Sequence, residues 1–367
     1  MRPQSLQATL SQARFHGLLD AFARQRLLVV GDLILDQYIW GVAERISPEA
    51  PVMVVEQQRT TYAAGGAANV AANVVAMGGQ ASLIGVVGKD AMADRLETVL
   101  TGAGVADIVL LSAAERPTTV KTRILAGDRQ VLRVDREERQ PIDPTAAARL
   151  LAEVDARLAD TDVLLLSDYS KGVLTANLIE RLVEQARARG KPVVANPKPA
   201  NLPYYSGLDL VSLNQSEAET STGIRIQGED DLYRTGLELL RRTEGEAVLV
   251  TLGGRGLAVF LRAGTAHHVA AFTQEVFDVC GAGDSVIAAA ALARASGGDW
   301  VEVATVANLA GNAKVRKRLV VPVTRRDLES VWAHALVNGE GGAAASVDTA
   351  AQPGEAAWNG YGGTSLK

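Results

Sequence analysis

Nine consecutive residues, Phe277-Asp278-Val279-Cys280-Gly281-Ala282-Gly283-Asp284-Ser285, carry the clearest chemistry in the chain. Gly281, Ala282 and Gly283 have no bulky side chains, so a loop built from them presents its backbone N–H groups to an anion. The Ala-rich stretch from Val286 to Ala295 reads as a helix, whose N-terminus adds partial positive charge at the same point. An acid, Asp284, follows directly. A carboxylate beside an anion-holding loop is what phosphoryl transfer to a hydroxyl requires: the loop holds the migrating group and the carboxylate takes the proton. The run also reads as an ordinary strand-to-helix turn with its acid as N-cap.

Further polar groups cluster around glycine turns. Gly65-Gly66, before a helix-like stretch from Ala67, lets a ligand approach the backbone, and Asn69 one turn in offers a donor and an acceptor. Asp32 and Asp36 follow the first apolar strand and could accept from sugar hydroxyls; Asp36 reads equally as a surface residue. Thr251-Leu252-Gly253-Gly254-Arg255-Gly256 follows the apolar run Ala247 to Val250, as a phosphate-cradling turn or a plain hairpin. Asn214 and Glu217 are spaced to face one way and could hold Mg²⁺ through waters. The four histidines show no metal-ligand spacing. Neither Gly-x-x-x-x-Gly-Lys-Ser/Thr nor Gly-x-Gly-x-x-Gly occurs at a strand end.

The elements that must position these groups alternate. Strand-like segments fall at 27–32, 52–55, 82–87, 162–167, 192–195, 209–213, 247–252 and 270–272. Helix-like segments fall at 67–77, 90–103, 143–159, 175–189 and 230–243. Such alternation implies a mainly parallel sheet covered on both faces, with ligands at the carboxyl ends of the strands. Segments 38–62 and 119–134 lack intervening helices and read as a small second sheet, the latter a hairpin around Gly127-Asp128. Residues 4–24 read as an amphipathic helix, and the Gly/Ala/Ser-rich stretch from Asn338 to Lys367 as a flexible tail. The basic cluster Lys314, Arg316, Lys317 and Arg318 reads as decoration of a helix C-terminus, with contact to a phosphate as the alternative.

Bulk properties exclude several classes. Across 367 residues the chain is 47% hydrophobic but only 4% aromatic, so its core is built from Val, Leu, Ile and Ala. A net charge of −5 argues against a general nucleic-acid binder. The single cysteine, Cys280, forbids an internal disulfide or a cysteine-based zinc cluster, fits a reducing cytoplasm, and reads as a small packing residue. No apolar run approaches the roughly 20 residues needed to span a bilayer, and the N-terminus does not read as a signal peptide.

Taken together, these elements resemble the ribokinase-like (PfkB) sugar kinases over roughly residues 25–335. Ala64 to Ala72 is similar to that family's first glycine signature and Asp278 to Asp284 to its second; Asn214-Gln215-Ser216-Glu217 and Thr251 to Gly256 match two further elements in order. Arg45 to Val52, Gly65 to Ala71 and Ser167-Asp168-Tyr169-Ser170-Lys171-Gly172 look most like the heptose 7-phosphate kinases of lipopolysaccharide-core synthesis. The resemblance implies a three-layer α/β sandwich with a β-sheet lid that often pairs two subunits into a homodimer. It implies transfer of the ATP γ-phosphoryl to the anomeric hydroxyl of the sugar. Asp284 is then the base and Gly281, Ala282 and Gly283 the anion hole. Asp32, Gly65, Gly66 and Asn69 hold the sugar, and Lys121, Arg123, Arg133 and Lys171 are candidates for its 7-phosphate. Asn196, Lys198, Asn214, Glu217, Thr251, Gly253, Gly256 and Asn308 serve ATP and Mg²⁺.

The chain departs from the family in two places. The family's Asp-Pro-Lys-Gly is here Asn196-Pro197-Lys198-Pro199, and a Gly-Thr turn after the penultimate helix is replaced by Lys317-Arg318-Leu319-Val320-Val321-Pro322. No His-x-Gly-His of a nucleotidyltransferase half appears, so adenylyl transfer is expected to need a separate protein. Two alternatives stand beside the heptose reading: a kinase for another sugar, sugar phosphate or nucleoside, and a non-catalytic regulator binding sugar or nucleotide on the same scaffold.

Overall fold

The computed structural model describes residues 10–272, 276–337 and 345–346. Helix α1 (Gln12–Phe22) leads into β1 (Arg26–Gly31), the hairpin β2 (Leu33–Ile46) and β3 (Met53–Gly66), and α2 (Ala67–Ala76). Next come β4 (Gln80–Gly88), α3 (Ala91–Gly102), β5 (Asp107–Ala113), the hairpin β6 (Val120–Ala126) and β7 (Arg129–Arg136), and α4 (Pro144–Leu158). They are followed by β8 (Val163–Ser167), α5 (Ala176–Ala188), β9 (Val193–Asn196), β10 (Leu210–Asn214), α6 (Gln215–Thr222), α7 (Glu229–Thr243) and β11 (Ala247–Thr251). Strands β12 (Leu257–Leu261) and β13 (Ala266–Val269), helices α8 (Ala282–Ala295), α9 (Trp300–Val315) and α10 (Arg325–Val337), and β14 (Ala345–Ser346) complete the described elements.

Side-chain caps set many helix starts. Asp90 accepts from the N–H groups of Met92 and Ala93, Asp143 caps α4 ahead of Pro144, and Asp299 forms a reciprocal box with Glu302 at α9. The main sheet runs β14-β13-β12-β11-β10-β9-β8-β1-β4-β5; β11 through β5 pair in parallel, and β12 to β14 add an antiparallel edge. Apolar clusters fill both faces, one under α1, α2, α8, α9 and α10, the other under α4, α5, α6 and α7. The strands are buried on both sides, which is why β8 reads Val-Leu-Leu-Leu-Ser rather than alternating.

Helix α8 is buried from Asp284 to Ala293. Its alanines let it lie close against α2 and α9, and small side chains do here what aromatics would do in a coarser core. A second sheet, β3-β2-β6-β7, stands off the main one, with β2 and β6 parallel and both hairpins antiparallel.

Several expected boundaries move. The short strand at 52–55 is the start of the fourteen-residue β3, because the hairpin continues until Gly66 opens α2. Residues 270–272 form no strand; the pairing with β12 is made by 266–269. Helix α8 begins inside the glycine loop at Ala282, not after it. The predicted helix over 4–24 appears as 12–22, residues 1–9 lying outside the described residues, as does the tail apart from 345–346.

Candidate active site

The parallel strands end level with one another. Gly31 registers with Ser167, Ser167 with Asn196, and Asn214 with Thr251, so the residues following them share one edge of the sheet. A cleft of about 660 Å³ opens there. Asn196, Lys198, Asn214, Glu217, Thr251, Gly253, Gly256 and Asn308 all line it, and so do Gly281, Ala282, Gly283 and Asp284. Every residue expected on the nucleotide side or in the anion hole therefore faces the same space.

Gly281 caps α8 with φ of +78°, a left-handed conformation that suits glycine. A Cβ there would also come within 2.9 Å of the Asn69 amide nitrogen. Ser285 N–H already bonds back to Gly281 C=O at 3.2 Å, which sets the first helical turn against the cleft. Ala282 N–H turns back to Val279 C=O at 3.2 Å, so of the three expected anion-hole N–H groups this one is already engaged. Asp284 is 3% exposed. Asn69 Nδ2 donates to its Oδ2 at 2.7 Å, and the Tyr169 hydroxyl donates to its Oδ1. Asn69 cannot flip, because its own Oδ1 accepts from Asn73 Nδ2 at 3.0 Å. Burial pushes the Asp284 carboxyl up to about 6, against the opposing pull of the Tyr169 and Asn69 hydrogen bonds and the Lys198 ammonium. That value keeps the carboxylate ionised near neutrality yet more basic than a surface aspartate.

The sugar-side residues occupy more varied places. Gly65 packs against Asp36: a Cβ there would meet Asp36 Oδ2 at 2.3 Å. Asp36 is 4% exposed and ion-paired with Arg123, whose guanidinium also faces Tyr38 and reaches Cys280 Sγ at 3.5 Å. Cys280 is half-buried, with its thiol pKa pushed up by burial. Lys121 lies over the Tyr169 ring at 5.8 Å and Lys198 over it at 4.9 Å. Lys171 pairs with Glu137 at 2.6 Å, and Arg133 with Asp135 on the exposed face of β7.

Asp32 does other work. Its carboxylate accepts from the N–H groups of Tyr169 at 2.8 Å, Lys171 at 3.1 Å and Val173 at 3.2 Å. Burial, with Asp168 adding its charge, raises the carboxyl to about 6. Asp32 thus shapes the loop that carries Tyr169 and Lys171. Asn214 and Glu217 form a capping box on α6, at 2.9 Å in both directions, and Glu217 Oε1 takes the Lys198 ammonium at 2.5 Å. Asn308 Nδ2 donates to Ala270 C=O at 2.6 Å on the cleft wall. Asn196 Oδ1 is buried without a hydrogen-bond partner.

Tyr169 is the site residue that sequence reasoning passed over as part of a motif. Its hydroxyl donates to Asp284, its ring lies beneath two lysines, and burial next to Asp284 pushes its pKa far above the ordinary tyrosine value. Lys314 lies in the last turn of α9, the helix end expected for it, and is buried there.

A family model described as pfkB family carbohydrate kinase matches residues 24–324. The bifunctional protein HldE of Geobacter sulfurreducens is 40% identical over 316 residues, covering 86% of this chain and 64% of that protein. The bifunctional protein HldE of Caulobacter vibrioides is 42% identical over 309 residues, covering 84% of this chain and 63% of that protein. The chain thus spans just under two thirds of these curated relatives. Among solved structures, the tetrameric inhibited form of phosphofructokinase-2 from Escherichia coli superposes with a TM-score of 0.70 at 19% identity, covering 84% of this chain and 99% of that one. Ribokinase of Arabidopsis thaliana complexed with ribose and ATP superposes with a TM-score of 0.66 at 20% identity, covering 84% and 98%.

Proposed function

The chain belongs to the pfkB family of carbohydrate kinases, and from that premise we propose that it phosphorylates D-glycero-β-D-manno-heptose 7-phosphate at the anomeric 1-hydroxyl, using ATP. The product would be the 1,7-bisphosphate used in ADP-heptose and lipopolysaccharide-core synthesis. The observation that carries the phosphoryl-transfer reading is Asp284, a buried carboxylate at a helix N-terminus on the floor of a 660 Å³ cleft. The heptose choice is supported by the stretches 45–52, 65–71 and 167–172 and by the 40% identity to HldE proteins.

In this reading Asp284 removes the proton from the attacking hydroxyl, which takes the place of the Tyr169 O–H at Oδ1. Asn69 keeps the carboxylate oriented through Oδ2. The N–H groups at the start of α8 hold the transferring phosphoryl as charge spreads over its oxygens. Lys121, on the β6 wall over the Tyr169 ring, is the candidate for the sugar phosphate this reading favours, since Arg123, Lys171 and Arg133 are each paired with a carboxylate.

Among the described residues no group of three or more His, Cys, Asp or Glu could hold a metal. The donor set suits Mg²⁺ held chiefly by phosphates and water: Asn196, whose Oδ1 is unpartnered, lines the cleft, while the Glu217 oxygens are taken by Lys198 and the Asn214 N–H and Asn214 Oδ1 is spent on its cap. Bound with ATP, Mg²⁺ would offset phosphate charge. The lid presents exposed Ile46, Val52, Met53, Leu132 and Val134, which supports a homodimer formed through it.

The test is a panel of sugars and sugar phosphates with Mg·ATP, products read by phosphorus NMR. Turnover of heptose 7-phosphate to an anomeric phosphate is expected, with kcat falling roughly 10²–10⁴-fold in Asp284→Asn. Turnover of a different sugar alone overturns the substrate assignment. Tight ligand binding without transfer to any acceptor favours the regulator.

A further inference from the structure

Lys314 is 0% exposed, near the end of α9, and its Nζ makes no hydrogen bond. Lysines are almost never fully buried unless paired, because an ammonium taken out of water must be compensated. Its surroundings explain where it points. The Lys314 Cε lies 3.6 Å from where a Cβ would stand on Gly281, so the ammonium stem runs directly beneath the anion-hole loop. That loop rides on the end of α9: the N–H groups of Phe277 and Asp278 both bond to Val315 C=O, at 2.8 and 3.2 Å. The acidic groups acting on Lys314 are Asp278, Cys280 and Asp284; Lys317 opposes them, and burial pulls the Lys314 pKa down. Asp278 makes no direct pair with it. One Asp278 oxygen accepts from Cys280 N–H and the other from Leu319 N–H, each at 2.9 Å.

We propose that Lys314 is a built-in cation beneath the anion hole, a positioning residue that holds the 277–283 loop and adds a fixed positive charge behind the transferring phosphoryl group. This rests on the kinase reading above. A helix N-terminus supplies about half a unit charge. A buried ammonium behind it adds further positive charge, shielded from solvent, where such charge stabilises a developing anion better than in water. The protein tolerates an unpaired buried charge because the phosphate arriving with substrate completes the pair.

Lys314→Met keeps the stem's bulk and removes the charge. We expect kcat to fall roughly 10–100-fold, the size of losing one preorganised electrostatic contact. KM for ATP should change little, and the melting temperature should hold or rise. In Lys314→Ala, ammonium chloride should restore part of kcat, since the vacated space admits a small cation; Lys314→Met, which fills that space, should not respond. Wild-type kcat in Lys314→Met overturns the proposal while an active wild type leaves the kinase reading intact. A loss of kcat that follows a lower melting temperature, with no ammonium response in Lys314→Ala, assigns the lysine to the fold and overturns the proposal as well. No transfer to any acceptor by the wild type removes the kinase reading and this proposal together.

Discussion

Asp284 shows how a single side chain is tuned by what surrounds it. Burial raises its carboxyl to about 6, and the hydrogen bond from Tyr169 pulls the other way. A base must be ionised, so kcat/KM should drop about tenfold per unit as pH falls below about 6. Tyr169→Phe removes an opposing pull, so the acid limb should move to higher pH; a limb that stays put or moves to lower pH would show that the hydroxyl does not hold the base. The acid and its small-residue loop were legible in the sequence because they are contiguous. Tyr169 was not, since 115 residues separate it from Asp284 and only the packing of α8 against β8 brings the two together. The contacts of Asp32 were hidden for a related reason. A strand-end carboxylate looks ligand-facing until its three backbone donors are seen. Lys314 has the sequence signature of a helix-end cation, and nothing in one dimension says that the 277–281 loop closes over it.

At the scale of elements, the junction of β3 and α2 is where the lid is coupled to the chemistry. Strand β3 hands straight into α2 at Gly66, with φ of 59° and ψ of −137°, a conformation confined almost wholly to glycine. A Cβ there would meet the Asp32 carbonyl at 2.4 Å. One turn later the same helix presents Asn69 to Asp284. Gly66→Ala should therefore cost about 2 kcal/mol or more in urea unfolding, from backbone strain and displacement of β1's end. It should also lower kcat/KM, because Asn69 moves with the start of α2; a variant with unchanged stability and activity would disprove the coupling. The βα alternation, both hairpins and the Gly65-Gly66 turn could be read from periodicity and glycine placement. Strand lengths could not. Whether β-type residues stop at 55 or run on to Gly66 depends on pairing with β2, and the strand at 266–269 rather than 270–272 depends on the partner offered by β12.

For the molecule as a whole, the two sheets divide the labour. The large one supplies a rigid edge on which strand-end loops converge, and the small one stands over that edge with Asp36, Lys121 and Arg123 on its inner strands. Its outer strand β7 is an open edge, and Leu132 and Val134, two residues apart and so on one face, are 53% and 51% exposed. The hairpin tip adds Ile46 opposite Met53, at 70% and 56%. Apolar groups left out on an unpaired edge invite another chain, even where Arg129, Arg133, Asp135 and Arg136 carry charge along the same strand. A second copy of this lid would cover that edge and face and stiffen both sugar-side walls. Light scattering after size exclusion should then give twice the chain mass. The double variant Leu132→Lys, Val134→Glu should run as a monomer with a melting temperature close to wild type, since neither side chain enters a core. On the proposed function its KM for sugar should rise while KM for ATP stays, since that reading puts sugar contacts on the lid and the nucleotide in the cleft of the main sheet. A wild type that elutes as a monomer at assay concentration, with the same sugar KM as the double variant, would leave the lid a property of one chain acting alone.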